Sequence, residues 1–159
     1  MKLIHIAAMD RNQCIGSNGN LPWYLPKDLA FFKQFTLGKS LVVGNTTFKT
    51  LPKKVSEGRT LHVVSRSKGD QLTTEHLLDL CDSNDELVVI GGSEVYAGTL
   101  HLADELLITE VDLEVDGDKY YPPFLDTFKK VYTSDTFTEN EINFRFTKWI
   151  PKANNTTHE

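Results

Sequence analysis

Short apolar runs alternate with amphipathic segments along the first two thirds of the chain. Five runs are nearly continuously apolar, which is typical of strands covered on both faces: residues 3–9, 40–43, 60–65, 86–90 and 105–111. Between them, the pattern predicts helices over residues 25–35, 46–51, 75–81 and 93–100. This alternation favours an α/β fold built from βαβ units around a central, mainly parallel twisted sheet.

The last third of the chain has a different pattern, with two longer segments around a polar turn. Residues 130–137 and 143–150 are predicted strands, and residues 138–141 the turn between them. We expect this antiparallel hairpin at the sheet edge, giving about eight strands flanked by about four helices. We also expect one domain over residues 1–159, with a loose polar tail over residues 151–159.

Composition and charge exclude several classes of protein. Of the 159 residues, 40% are apolar and 25% are charged, which is ordinary for a globular domain. The net charge of −5 disfavours a nucleic-acid-binding protein, and no segment approaches the ~20 apolar residues that cross a bilayer. Two cysteines far apart, Cys14 and Cys81, are typical of reduced thiols. We therefore expect a cytoplasmic protein without a membrane or nucleic-acid partner.

Patterns for metal binding and for nucleophilic catalysis are missing from the sequence. The five histidines show no pair at metal-ligand spacing, and there is no Cys-x-x-Cys motif. No Gly-x-Ser-x-Gly motif is present, and no Gly-x-Gly-x-x-Gly follows the first strand. We expect no metal site, and the chemistry must come from other groups.

One acidic residue lies on an apolar helix face. Leu25, Asp28, Leu29 and Phe32 have the i, i+3, i+4, i+7 spacing that places side chains on one side of a helix. Asp28 is either an acid in the first turn that interacts with the helix dipole, or a half-buried functional carboxylate. The spacing leaves both interpretations open.

A strand, a glycine and a helix start follow one another twice. Gly44 comes after one apolar strand and before Asn45, and Gly91 and Gly92 come after another and before Ser93. Such turns direct backbone N–H groups outward and suit phosphates, so two of them suggest a ligand with more than one phosphate. Arg66, at the end of a third strand, is either a further phosphate contact or a solvated strand end.

Segments in a consistent order carry a resemblance along nearly the whole chain. The most specific are Leu-Pro-Trp at residues 21–23 and Leu-Pro-Lys-Asp-Leu at residues 25–29. The others are residues 6–8, 15–16, 32–33, 43–44, 46–48, 58–59, 65–66, 90–96, 109, 117–118 and 122. In these segments the chain resembles the bacterial, single-domain dihydrofolate reductases.

The resemblance implies an NADPH-dependent oxidoreductase. Hydride would pass from NADPH to C6 of 7,8-dihydrofolate, with a proton added at N5, to give tetrahydrofolate for one-carbon metabolism. Asp28 would bind the pterin with help from Thr109, and Trp23 would hold a water through which the proton arrives. The implied catalytic residues are Asp28, Trp23, Thr109 and Leu21.

The resemblance also implies binding residues for both ligands. The substrate set is Ile6, Ala7, Ala8, Asp28, Leu29, Phe32, Leu51, Val55, Arg59, Ile90 and Thr109. In this set Arg59 would bind the glutamate carboxylate. For the apolar wall residues, core packing is an equal alternative. The cofactor set is Ala8, Ile15, Gly16, Asn20, Leu21, Gly44, Asn45, Thr46, Thr47, Ser65, Arg66, Ser67, Gly91, Gly92, Ser93, Glu94, Val95 and Tyr96. Residues 12–21 would form a mobile loop over the nicotinamide, braced by Asp118.

Two positions depart from the family pattern. Asn45 and Glu94 stand where many relatives carry cations near the 2′-phosphate, so we expect a weakened preference for NADPH over NADH. Two alternatives remain: a riboflavin-pathway pyrimidine reductase with the same fold, and a non-catalytic nucleotide-binding protein. We expect a monomer.

Overall fold

The computed structural model describes residues 2–16, 23–64, 79–80 and 86–153. Five strands form the parallel part of the main sheet: β1 (Lys2–Met9), β3 (Ser40–Gly44), β4 (Thr60–Val64), β5 (Glu86–Val89) and β6 (Glu105–Val111). Three antiparallel strands complete it: β8 (Phe128–Thr133), β9 (Phe137–Glu139) and β10 (Ile142–Pro151). The strand order is β4-β3-β5-β1-β6-β10-β8, and β9 also pairs with β10.

Helices and a second small sheet complete the described part of the chain. The α-helices there are α1 (Pro26–Thr36), α2 (Asn45–Phe48) and α3 (Ser93–Thr99), with short 3-10 helices at Lys53–Ser56 and Leu100–Leu102. The small sheet pairs β2 (Cys14–Gly16) with β7 (Lys119–Tyr120). The predicted fold class is confirmed. The helix predicted over residues 75–81 lies almost wholly outside the described residues.

Side chains alternate across β1 and divide the core into two layers. Leu3 and Met9 belong to the cluster on one face of the sheet, whereas Ile4 and Ile6 belong to the cluster beneath α1. The cluster beneath α1 also includes the aromatic side chains of Phe31, Phe32 and Phe35. The central strands are therefore covered on both faces, as their continuous apolar runs predict.

The predicted strand over residues 130–137 is wrong in one respect, because it is interrupted between β8 and β9. The Phe146 N–H donates to Ser134 Oγ at 2.9 Å instead of to a backbone carbonyl, so the ladder is broken there. Asn140 and Glu141 both have positive φ, 52° and 65°, and form a two-residue turn between β9 and β10. The turn is thus shorter than the predicted residues 138–141.

The end of β10 also extends beyond the prediction. Pro151 pairs with Phe128, and the Lys152 N–H donates to the Thr127 carbonyl at 2.9 Å. These residues were expected in the loose tail and are instead held against β8. None of the helices in the described ranges is long and apolar enough to cross a membrane.

Candidate active site

Asp28 lies in the first turn of α1 and forms a hydrogen bond across to the sheet. The Thr109 hydroxyl, on β6, donates to Asp28 Oδ1 at 2.6 Å. Asp28 is half-buried and Thr109 is only 4% exposed. The hydrogen bond that Asp28 makes among the described residues therefore runs to β6 and not to the backbone of its own helix. The carboxyl thus connects the start of α1 to the buried face of β6.

Opposing effects set the ionisation of Asp28. Burial raises the pKa of the Asp28 carboxyl, the Thr109 hydrogen bond lowers it, and the charge of Glu139 raises it further. The net pKa is above the ordinary value, because desolvation penalises the ionised form more than one hydroxyl stabilises it. A ligand that donates hydrogen bonds to this carboxylate would offset that penalty.

The N-terminus of α1 is capped by the β9–β10 hairpin. The Lys27 N–H lies 3.0 Å from Glu139 Oε1, and Asn140 Nδ2 donates to the Tyr24 carbonyl at 2.9 Å. These bonds fix the turn that carries Asp28. Sequence reasoning missed them, because they join residues more than a hundred positions apart.

Several predicted wall residues pack together in the core layer beneath α1. Ile6, Phe32, Val55 and Ile90 belong to one apolar cluster, where Ile6 is buried and the other three are half-buried. Leu29 is 42% exposed, so this apolar side chain of α1 is left partly uncovered. Apolar side chains thus gather on the α1 side of the sheet.

Other predicted wall residues lie outside that cluster. Ala7 packs on the opposite layer of the core, whereas Ala8 packs in the cluster that contains Trp23. Leu51 is half-buried after α2, and its N–H donates to the Phe48 carbonyl.

The guanidinium of Arg59 is held against the end of α1. Its Nε donates to Thr36 Oγ1 at 2.8 Å, and its two terminal nitrogens donate to the carbonyls of Glu57 at 2.8 Å and Lys33 at 2.6 Å. Two of its five N–H donors remain for other acceptors among these contacts. The sequence pattern did not indicate Thr36, whose hydroxyl positions the Arg59 guanidinium.

Trp23 combines burial with an unsatisfied donor. Its side chain is 8% exposed and packs near Ala8, yet its Nε1 has no hydrogen-bond partner among the described residues. A buried donor of this kind is usually satisfied by an ordered water or a ligand.

The two glycine turns meet at the ends of β3 and β5. The Gly44 N–H donates to the Gly91 carbonyl at 2.9 Å. A Cβ on Gly44 would lie 3.0 Å from Val95 Cγ2, and one on Gly92 would lie 2.6 Å from Thr47 Oγ1. Only glycine permits this close approach, so the turns predicted from separate segments form one continuous surface.

Residues around the turns differ in exposure. Asn45, Thr46 and Glu94 are exposed, Thr47 and Ser93 are half-buried, and Val95 and Tyr96 are buried. The Tyr96 hydroxyl donates to the Ile6 carbonyl at 2.6 Å, so α3 is bonded directly to β1, which carries the predicted wall residue Ile6.

The small sheet holds the start of the predicted mobile loop. Ile15 and Gly16 lie in β2, and the Asp118 N–H donates to the Gly16 carbonyl at 3.1 Å. The predicted site residues Asn20, Leu21, Ser65, Arg66 and Ser67 lie outside the described residues. A group of acidic, histidine and cysteine side chains that could hold a metal is not found within the described ranges.

The comparison with known families decides what this arrangement is. A family model described as dihydrofolate reductase matches residues 2–150. The chain belongs to the dihydrofolate reductase family. The resemblance seen in the sequence is thus confirmed.

Individual dihydrofolate reductases agree with this result. The protein from Neisseria meningitidis serogroup A is 40% identical over 129 residues, which cover 77% of this chain and 80% of that protein. The protein from Bacillus subtilis is 33% identical over 144 residues, covering 87% and 86%. The structure of the Enterococcus faecalis enzyme, complexed with NADP(H) and RAB-propyl, has a TM-score of 0.81 at 27% identity and covers 96% of this chain and 97% of that chain.

These findings confirm the predicted class of activity for this dihydrofolate reductase. It is an NADPH-dependent oxidoreductase that reduces dihydrofolate. The riboflavin-pathway reductase and the non-catalytic nucleotide-binding protein are not favoured.

Proposed function

We propose that Asp28 is the group of this dihydrofolate reductase that binds the pterin ring of dihydrofolate. The observation that carries the proposal is the hydrogen bond between the half-buried Asp28 on α1 and the buried Thr109 on β6, while the same helix contributes Phe32 to an apolar cluster. The amino group and ring N–H of a pterin donate hydrogen bonds, which suit a carboxylate with only one hydroxyl partner. The Thr109 hydroxyl donates its hydrogen bond to Asp28, so its oxygen remains free to accept one from the same ring.

The proton and the hydride reach the pterin separately. NADPH, when bound, supplies the hydride that is added to C6. We assign the proton at N5 to a water held by Trp23, since a buried Nε1 without a protein partner in the described residues suits such a water. The negative charge of Asp28 favours gain of that proton by the ring.

The cofactor fits the surface formed by the two glycine turns. A side chain at Gly92 would collide with Thr47 Oγ1, so the glycine there lets Thr47 of α2 lie close against the second turn. Thr46, Thr47 and Ser93 offer backbone N–H groups and hydroxyls that suit phosphates, while the Gly44 N–H holds the two turns together by donating to the Gly91 carbonyl. The nicotinamide would lie beside Ala8, near Ile15 and Gly16.

We propose that this protein prefers NADPH over NADH only weakly. Asn45 and Glu94 are both exposed at the start of their helices, and neither provides a positive charge for a 2′-phosphate. Arg66 would then be the main cation for that group.

The rest of the substrate would extend along α1. Leu29 and Phe32 would contact the p-aminobenzoyl ring with Val55, and Arg59 would bind the glutamate carboxylate. The fixed position of Arg59 supports this role, since a preorganised fork loses less entropy on binding a carboxylate. We further propose a cytoplasmic monomer with a single domain over residues 1–159.

Loss of the near-UV absorbance of NADPH on addition of dihydrofolate tests the proposed function. We expect stoichiometric oxidation of NADPH, and slower but measurable oxidation of NADH in a parallel assay. A folded sample that oxidises neither cofactor would overturn the proposal.

A further inference from the structure

A hydrogen-bonded network of buried polar side chains is centred on His5, on the face of β1 opposite to Ile6. His5 Nδ1 lies 2.8 Å from Tyr121 Oη, and His5 Nε2 lies 2.7 Å from Thr99 Oγ1. His5 and Thr99 are fully buried, and Tyr121 is 2% exposed. The reaction proposed above uses none of these three groups, although each is costly to bury without partners.

Hydrogen-bond accounting fixes where the protons lie. Thr99 Oγ1 is 2.7 Å from the Val95 carbonyl, which can only accept, so the single hydroxyl proton of Thr99 is donated there. The Thr99 oxygen is then an acceptor toward His5, and His5 Nε2 carries a proton. Burial lowers the pKa of His5 to about 3, so the ring is neutral and Nδ1 accepts from the Tyr121 hydroxyl.

This network lies next to the hydrogen bond between Tyr96 of α3 and the Ile6 carbonyl of β1. The Tyr96 ring packs with its centroid 5.2 Å from that of His5 and 5.0 Å from that of Tyr121. Its hydroxyl donates to the Ile6 carbonyl at 2.6 Å. The rings of His5 and Tyr121 both contact the Tyr96 ring, and they are also hydrogen-bonded to each other. Together they restrict how the Tyr96 side chain can be oriented.

Tyr121 connects this network to the residues directly before β2. Its N–H donates to the Gln13 carbonyl at 2.8 Å, directly before β2. Tyr121 also follows β7 directly, and β7 pairs with β2. His5 thus joins β1, the end of α3 and the β2–β7 sheet through directional bonds.

We propose that His5 is a positioning residue for hydride transfer, which holds Tyr96 and through it the Ile6 carbonyl in the reactive arrangement. An apolar side chain of similar size would fill the same space but would not orient Thr99 or Tyr121. The inference rests on the proposed function, since Ile6 is part of the proposed pterin wall.

A double-mutant cycle with Tyr96 tests the inference. We expect His5→Leu to slow hydride transfer in single turnovers about five- to tenfold, the size expected for loss of an oriented hydrogen bond. The KM values for NADPH and dihydrofolate should change less. In a Tyr96→Phe background the same replacement should have little further effect on that rate, because the group through which His5 acts is gone.

Two matched variants separate positioning from general damage to the core. His5→Gln keeps a donor and an acceptor and should recover much of the rate. Leu106→Val alters the fully buried residue that pairs with His5 across the sheet, and should lower the melting temperature without slowing hydride transfer. Ring ¹⁵N shifts should show the proton of His5 on Nε2.

Three results would overturn the role of His5. The first is a normal rate of hydride transfer in His5→Leu. The second is a double variant whose rate falls by the product of the two single effects of His5→Leu and Tyr96→Phe. The third is a proton on Nδ1 of His5. Failure of the proposed function would look different, because the unmodified protein would then not turn over dihydrofolate at all.

Discussion

Replacing Thr109 by valine removes the one described hydrogen bond donated to the Asp28 carboxyl and nearly preserves shape. The hydroxyl donates to Asp28 Oδ1 at 2.6 Å, in a place where Thr109 is 4% exposed. This bond lowers the pKa of Asp28 against the stronger effect of burial. Its loss should therefore raise the pKa of Asp28 further above the ordinary value.

The size of the effect follows from the charge of the acceptor. A hydrogen bond to a charged group contributes about 1.5–3 kcal/mol, which is a factor of about 10 to 100 in an equilibrium constant. We expect Thr109→Val to fall in this range because the bond is shielded from solvent. The ionised form of Asp28, which we propose binds the pterin, should become less populated by that factor wherever Asp28 is mostly protonated.

The assay is the pH dependence of kcat/KM for dihydrofolate. The acidic limb of the Thr109→Val profile should move to higher pH. Thr147→Val is the matched control, since Thr147 is 3% exposed and donates to the neutral Ile108 carbonyl at 2.7 Å. Superimposable profiles for Thr109→Val and the unmodified enzyme would refute the reasoning.

Stability should change with pH in the corresponding direction. When folding raises the pKa of a carboxyl, the protein loses stability as the pH rises from the unfolded pKa of that group through its folded pKa. Since the pKa of Asp28 is raised by burial, the free energy of unfolding lost in Thr109→Val should be larger at neutral pH than at acidic pH. Urea unfolding at the two pH values measures this difference.

Three further predictions concern the surroundings of the site. Thr36→Val removes the partner of Arg59 Nε, and should raise KM for dihydrofolate about five- to tenfold with kcat nearly unchanged, as steady-state kinetics would show. Gly92→Ala places a Cβ 2.6 Å from a hydroxyl oxygen of α2, and should weaken NADPH binding in fluorescence titrations. Glu139→Gln removes a charge that raises the pKa of Asp28, so the acidic limb of kcat/KM should move to lower pH.

Local patterns predicted the parts of this fold that depend on neighbouring residues. The apolar runs located the central strands because buried parallel strands need apolar side chains on both faces. The spacing around Asp28 placed it beside Leu25 on one helix face, and Leu25 is indeed buried at 3% exposure. The glycine turns at Gly44 and Gly91 were also predicted from their position after strands.

Contacts between distant residues could not be predicted in the same way. The bond between Glu139 and α1 depends on how a hairpin folds back over a helix, which no periodicity encodes. His5 carried a local indication, since a histidine inside an apolar strand must find buried partners. Its partners Thr99 and Tyr121 are 94 and 116 positions away, and only the assembled fold identifies them.

Turnover by the Asp28→Asn variant tests the central claim most directly. An amide nearly preserves the shape of the side chain and removes its charge, so the variant should fold and bind NADPH. We predict that it loses most of its NADPH oxidation with dihydrofolate at neutral pH, while the unmodified enzyme shows stoichiometric oxidation. Normal turnover by a folded Asp28→Asn variant would contradict the role assigned to this carboxylate.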